Sequence, residues 1–252
     1  MRIWDSNGRH MLSKLLSPLI DLLFPPLCHL CKEFIPDAGE IRLCSSCLEK
    51  APPLLSPQCS CCGRPFATVG GKDHLCGDCI SAPPPFFAAR AALLFEDSTR
   101  ELIHQFKYGQ RVMLRRPLGL LAVSYLDGFV REFGAELILP VPLHVKRLRQ
   151  RGFNQAILLG EIFAQRWELS LSRNNLKRIR WTEPQVNLGA TERAANVKGA
   201  FAVASVKEIS GKRIFLIDDV YTTGSTAKEC CRVLMKAGAA EVAVLTVARG
   251  AG

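Results

Sequence analysis

The stretch Arg213–Cys231, RIFLIDDVYTTGSTAKECC, constrains the fold of this chain more than any other. Arg213–Ile217 is a short apolar run rich in β-favouring residues, the pattern of a strand buried on both faces. Asp218 and Asp219 follow where that strand is expected to end. Thr222-Thr223-Gly224-Ser225-Thr226 is a hydroxyl-rich loop, and helical spacing runs from Ala227 to Ala237. A loop entering a helix offers unpaired N–H groups and the positive end of the helix dipole, and both favour a phosphate. Gly224 can take a positive φ and lets an anion approach the backbone closely. The two carboxylates beside this loop cannot also be phosphate ligands. They suit the hydroxyls of a sugar, or a Mg²⁺ held by that sugar. The residues alone therefore point to a pocket for a sugar phosphate. The competing reading, a strand and a helix with incidental capping acids, leaves adjacent buried carboxylates without a task, which is costly.

The cysteines impose a second constraint. Cys28-x2-Cys31 is followed after twelve residues by Cys44-x2-Cys47, and Cys59-x2-Cys62 after thirteen by Cys76-x2-Cys79. This duplicated pattern has zinc-ribbon spacing: each knuckle places two thiolates on one side of a tight turn, and two knuckles complete a tetrahedron. Four sulfur ligands leave no open position, so about two zincs of structural type are expected. A region this short and this poor in apolar residues needs such staples to fold. A disulfide framework fits less well, because no secretory signal accompanies the knuckles. Sequential and interleaved pairing of the four knuckles both satisfy the spacing. Cys61 is a spare thiol beside Cys62, and His29 and His74 are expected bystanders.

At 252 residues the chain can bury one substantial core and a small second module. Hydrophobic content of 48% and charged content of 22% are ordinary for a globular protein. A formal net charge of +10 favours an anionic partner, which both sugar phosphates and nucleic acid satisfy. The apolar run Leu12–Leu27 contains Lys14, Asp21 and three prolines and is too short and broken to span a bilayer. It also lacks a small-residue cleavage site, so the expectation is an amphipathic helix in an N-terminal extension (1–24) and a cytoplasmic protein without a transmembrane segment. The ribbons then occupy 25–81. The stiff run Ala82-Pro83-Pro84-Pro85 marks a boundary, and the second module takes 86–252.

Within that module, Phe86–Phe95 reads as a strand, Ser98–Lys107 as a helix with Leu102, Ile103 and Phe106 inward, and Leu114–Phe133 as a longer helix. Lys107-Tyr108-Gly109 ends the first helix either as an ordinary cationic terminus or as an anion contact. Leu137–Val141 is a buried strand. The basic segment His144–Arg151 after it reads as a loop, followed by a helix with Phe153, Ala156, Ile157, Leu159, Phe163 and Trp167 on one face. A basic loop between a strand end and a helix start lies where open α/β sheets bind ligands. Arg178–Phe201 is polar, Arg-rich and aperiodic, as a mobile excursion or a surface hairpin is. Glu241–Thr246 is a last strand, and Cys230 and Cys231 are expected core thiols.

Ile214–Thr226 resembles, without a break, the phosphoribosyl-pyrophosphate (PRPP) signature of type I phosphoribosyltransferases: four apolar residues, two acids, two apolar residues and T-T-G-x-T. Together with VPLHxxRxxxRGFNQ and the double ribbon, the chain is similar to the ComF/GntX family of competence-associated, phosphoribosyltransferase-like proteins. PPPFF, LIHQFKYGQR and the segment RIRWTEPQVNLGATERAANVKGAF fall in matching places. The likeness runs from about Leu22 to the C-terminus.

The resemblance implies a type I phosphoribosyltransferase fold, a parallel sheet with helices on both faces, behind a small double zinc ribbon. It implies that Asp218 and Asp219 hold the ribose hydroxyls with Mg²⁺, and that Tyr221, Thr222, Thr223, Gly224, Ser225 and Thr226 hold the 5′-phosphate. Val141, Pro142, Leu143, Arg147 and Arg151 would face the pyrophosphate, and Gln185, Arg193 and Asn196 would sit on a loop that closes over the reacting centre. No residue stands out as general acid or base. Two functions follow. One is a PRPP-binding protein of DNA uptake, with single-stranded DNA and competence or DNA-processing proteins as partners. The other is a transferase moving ribose 5-phosphate from PRPP to a base or amine. DNA contact would need exposed aromatics near the basic segments; Tyr108, Phe153 and Trp181 are the candidates, against the usual place of aromatics in a core.

Overall fold

The apolar run at 213–217 is the middle of a five-stranded sheet in which every pairing is parallel. The computed structural model describes residues 25–36, 38–68, 70–109, 111–182 and 190–250. The expected N-terminal extension (1–24), and with it nearly all of the expected Leu12–Leu27 helix, lies outside these residues, as does Gln185. The strands are β1 (Ala89–Leu94), β2 (Leu137–Pro140), β3 (Ser170–Leu171), β6 (Arg213–Tyr221) and β7 (Glu241–Arg249), in the order β1-β7-β6-β2-β3. A separate antiparallel pair, β4 (Leu176–Arg178) and β5 (Phe201–Val203), closes the base of the 178–201 excursion by pairing Arg178 with Phe201. The helices are α1 (Ser45–Glu49), α2 (Gly77–Ser81), α3 (Asp97–Tyr108), α4 (Arg115–Phe133), α5 (Val145–Arg151), α6 (Gln155–Trp167), α7 (Ala190–Val197) and α8 (Ser225–Lys236).

Residues of β6 alternate between two cores. Phe215 and Ile217 pack with Leu102, Ile103 and Phe106 of α3, Leu118 of α4 and Leu159 and Phe163 of α6. Ile214 and Leu216 pack with Cys230, Cys231 and Leu234 of α8. All four β6 side chains are fully buried. Each contributes about 1.5–3 kcal/mol by leaving water, so the strand is the keel of the domain, with helices on both faces as expected.

Four elements differ from the sequence reading: the last strand runs past Thr246 to Arg249, the excursion carries α7 where no period was read, and the other two are β6 and the basic segment. Strand β6 does not stop at Ile217. It stays paired through Val220 and Tyr221 because β7 is equally long and places Ala248 and Arg249 opposite them. The acid pair therefore lies inside the strand, with alternate orientations fixed by the pleat. The basic segment is a helix, α5, and not a loop. His144 Nδ1 accepts from the Lys146 N–H at 3.3 Å, and Gly152 closes the helix in the left-handed conformation at φ 85°. None of its residues is buried, so no apolar period could reveal it.

The ribbons lie against the sheet domain. Cys28, Leu43, Cys44 and Cys47 join the α3–α4–α6 core, and the Glu40 carboxylate pairs with Arg116 of α4 and Arg166 of α6. Further on, Leu54 N–H donates to the Ala92 carbonyl (2.9 Å) and Leu94 N–H to that of Pro52 (2.9 Å), which covers the edge of β1. The second ribbon continues the contact: Ala89 N–H donates to the Cys61 carbonyl at 2.7 Å, and Arg90 to that of Ser60 at 3.0 Å. Among the described residues no helix is long and apolar enough to cross a membrane.

Candidate functional site

Asp218 and Asp219 stand at the carboxyl end of the central strand, where an open α/β sheet presents its crevice. Asp219 is 3% exposed, and the Lys107 ammonium at the end of α3 lies 2.6 Å from its Oδ2. Burial opposes ionisation of Asp219, yet the Lys107 charge overcomes it and holds the carboxyl below the usual range. Asp218 moves the other way. Burial, then the charge of Asp219, push it up to about 8. One member of the pair is thus held as an anion, while the other favours its protonated form at neutral pH.

The phosphate-type loop lies beside them. Gly224 sits at φ 73° before α8, and no side chain caps that helix. Its first residues, Ser225, Thr226 and Ala227, line the same opening, where the unpaired N–H groups of a helix start favour an anion. A Cβ on Gly224 would fall 2.1 Å from the Tyr221 hydroxyl oxygen, so glycine is required by space as well as by φ. Thr222, Ser225 and Thr226 line the opening; Thr223 does not, its hydroxyl lying 2.9 Å from that of Ser225.

The third wall comes from the end of β2. Val141, Pro142 and Leu143 line it, with Arg147 and Arg151 from α5. The RGFNQ run explains how they are held. Asn154, 7% exposed, caps α6 by accepting from Ala156 N–H at 2.9 Å and donates to the Val141 carbonyl at 3.0 Å. Arg151 donates to Gln155 Oε1 at 2.6 Å and lies 5.2 Å from the Tyr108 ring centre. The cavity enclosed by the three walls holds about 930 Å³.

Of the excursion residues, Arg193 reaches the cavity and donates to Thr222 Oγ1 at 3.4 Å. Asn196 is not in the lining; its backbone carbonyl accepts from Arg180. Sequence reasoning left Lys107 undecided and missed Arg100, His104 and Arg178, which also line the cavity. The LIHQFKYGQR likeness was the available signal for α3, where His104 and Lys107 sit one turn apart. Of the aromatics proposed for DNA, Tyr108 is exposed at the cavity mouth and Trp181 is half-buried against His144 and Lys146. Phe153 is stacked on Phe106 and belongs to the core.

The cysteines group sequentially. Cys28, Cys31, Cys44 and Cys47 form one cluster and Cys59, Cys62, Cys76 and Cys79 another, with the sulfurs of each cluster within 4.8 Å of one another. The Cys31–Cys44 and Cys62–Cys76 sulfurs are 3.5 and 3.8 Å apart. Zinc–sulfur bonds of about 2.3 Å in a tetrahedron require ~3.8 Å, so both sets fit Zn²⁺. Burial opposes ionisation of Cys28 and Cys59, but knuckle N–H groups, from Cys44 for the first and Cys76 and Cys62 for the second, draw each thiol down to about 6. Cys61 lies outside its cluster.

Two family models match the chain. The double zinc ribbon domain matches residues 19–80, and the phosphoribosyl transferase domain matches residues 169–252. Competence protein F of Haemophilus influenzae is 36% identical over 59% of this chain and 66% of its own length. Competence protein ComFC of Bacillus subtilis is 28% identical over 82% of this chain and 84% of its own. The chain belongs to the ComF family. DNA utilization protein YhgH of Salmonella typhimurium is 34% identical, and the chain again spans 66% of its length.

In this ComF-family chain, cations, acids and hydroxyls share one cavity. Lys107 pairs with Asp219, Arg147 and Arg151 come from α5, and Arg193 reaches the hydroxyl loop at Thr222. Such a site can hold two separated anionic groups and a neutral polar centre between them. Charge that develops on one anionic group would meet fixed donors, with no nucleophile needed from the protein.

Proposed function

We propose that this protein is a cytoplasmic PRPP-binding member of the ComF family that acts in the uptake or use of DNA. The observation that carries the ligand is the convergence of the acid pair, the hydroxyl loop and the β2 end on one cavity. In this reading the 222–226 loop and the α8 N-terminus take the 5′-phosphate, and Asp218 and Asp219 take the ribose hydroxyls. Val141–Leu143, Arg147 and Arg151 take the pyrophosphate. Mg²⁺ prefers one or two carboxylates supplemented by substrate phosphates and water, which suits Asp218 and Asp219; when bound it would neutralise pyrophosphate charge. Lys107 holds Asp219 ionised until the ligand enters. The role in DNA is supported by the names of the relatives and by the basic residues of α5 beside Tyr108 and Trp181. There, single-stranded DNA would meet phosphate contacts and a stacking surface. The reducing cytoplasm suits two thiolate zinc sites.

The decisive test is calorimetry of PRPP with Mg²⁺. Binding to the wild type and its loss in Asp218→Asn with Asp219→Asn are expected; equal affinity in the double variant would remove the pocket assignment. A second reading, an active transferase, is favoured by the size of the cavity. At about 930 Å³ it lies at the upper end of the ~300–1,000 Å³ that drug-sized ligands occupy, so a base or amine could sit beside PRPP. Pyrophosphate release from PRPP, measured across a panel of nucleobases with and without single-stranded DNA, separates the two.

A further inference from the structure

Arg249, the last residue of β7, is 3% exposed, although its guanidinium carries a full charge. Its Nη1 donates to the Cys62 carbonyl at 2.6 Å, and its Nη2 lies 3.7 Å from the Cys62 sulfur. The same guanidinium lies 4.5 Å from the ring centre of Tyr221, which is 5% exposed and meets the edge of Phe86. The Tyr221 hydroxyl in turn sits against Gly224, and the backbone beyond Arg249 closes on the same turn, with Gly250 N–H donating to the Tyr221 carbonyl at 2.9 Å. An unbroken series of buried contacts thus joins a ligand of the second cysteine cluster to the turn before α8.

The charges give this series a direction. A buried cation is tolerated when it is paired, and among the described residues the Arg249 guanidinium bonds to Cys62 and meets no carboxylate. Four thiolates around one Zn²⁺ leave a net charge of −2, which makes the loaded site the counter-charge for Arg249. Among the described residues the first cluster has no such tie. Its docking runs through Glu40 to α4 and α6, on helices away from the turn.

We propose that Arg249 and Tyr221 are positioning residues that couple the second zinc site to the phosphate loop, so that this zinc maintains the shape of the loop and a ligand in the loop retains the zinc. The coupling rests on the reading of the cavity as a PRPP pocket. Reciprocity follows from linkage: whatever factor the zinc adds to ligand affinity, the ligand returns to zinc affinity.

The test follows zinc transfer from the full-length protein to a coloured chelator, with and without Mg²⁺ and PRPP. One of the two zincs is expected to leave about fivefold or more slowly when PRPP is bound, the lower end of ordinary site–site coupling; the other should be unaffected. In Arg249→Met the protein should keep two zincs, bind PRPP about tenfold more weakly, as loss of a charged hydrogen bond predicts, and lose the protection. Arg249→Lys, which keeps the charge without the fork, should fall between the two. Binding of PRPP that slows both zincs equally, or neither, overturns the coupling alone. So does wild-type affinity in Arg249→Met. A wild type that binds no PRPP overturns the pocket reading and the coupling with it. The wild-type measurement needs no variant to fold.

Discussion

The two cysteine clusters share ligand spacing but not surroundings, and the difference shows how little a sequence repeat says about role. The first is built into the helical side of the domain: Cys28, Cys44 and Cys47 pack in the same core as α3, α4 and α6, and Glu40 ties the ribbon to two surface arginines. The second is built onto the sheet, hydrogen-bonded to Ala89 at the start of β1 and to Arg249 at the end of β7. One ribbon is a brace behind the domain, and the other meets the wall of the candidate site. Duplication supplied two equivalent staples; docking made them unequal.

Removing a ligand from each site should break the symmetry most visibly. Structural zinc contributes on the order of 10 kcal/mol of binding free energy, comparable to the whole stability of a domain. Cys31→Ser and Cys79→Ser should therefore each lower the zinc content from two to one by metal analysis and destabilise the chain strongly. They should diverge in ligand binding. Calorimetry on the folded fraction should find PRPP affinity nearly retained in Cys31→Ser and reduced about tenfold or more in Cys79→Ser. Equal losses would mean that the two ribbons serve the site alike.

This asymmetry was not legible in the sequence, whereas the ribbons themselves were. C-x2-C knuckles report a local geometry, so spacing alone locates the ligands, but sequential and interleaved pairing satisfy it equally and only the folded chain separates them. The acid pair and Gly224 were legible for the same reason: strand, turn and helix start are all local. Lys107 was not, because the ion pair with Asp219 spans the fold. Arg249 was hidden further still, since an arginine near the end of a strand reads as a solvated terminus. The α5 helix escaped because a helix with no buried residue has no apolar period to betray it. Asn154 and Gln155 could be noticed as a likeness, but their task, pinning Val141 and Arg151, is a tertiary hydrogen-bond arrangement that no pattern states.

Gly224→Ala probes the second region at the point where the two meet. An L side chain in the left-handed region costs about 1–2 kcal/mol, and the added methyl would collide with the Tyr221 hydroxyl. The expected result is PRPP binding weakened about tenfold or more, with both zincs retained because the ligands are untouched. Loss of zinc in this variant would mean that the loop supports the ribbon more strongly than the ribbon supports the loop.

A pH series sharpens the contrast without mutation. Asp218 titrates near 8 in the free protein, and a bound cation requires the carboxylate. PRPP affinity in the presence of Mg²⁺ should therefore rise by up to about tenfold per pH unit below 8 and level off above it. Calorimetry in buffers of different ionisation enthalpy should detect the released proton. Stability of the free protein runs the opposite way. The folded state holds that proton more tightly than the unfolded chain, so stability falls as pH rises from the ordinary carboxylate range toward 8. Asp218→Asn should cancel both slopes: no proton release, and a free protein less sensitive to pH across that window. A flat affinity profile in the wild type would place the cation elsewhere.

The smallest effect belongs to the brace. Glu40→Gln removes the charge that the first ribbon presents to Arg116 and Arg166, but all three groups are largely in water, where ion pairs contribute little and are screened by salt. Thermal unfolding should shift by no more than about 2 °C, and the shift should shrink in high salt. PRPP affinity and the release rate of the second zinc should match the wild type, since the described partners of Glu40 are Arg116 and Arg166, away from the loop. A change in either would show that the helical face, and not only the β7 end, communicates with the cavity. In that case the two ribbons would differ in the strength of their connection to the site, and the division between brace and wall would give way to a single cooperative unit.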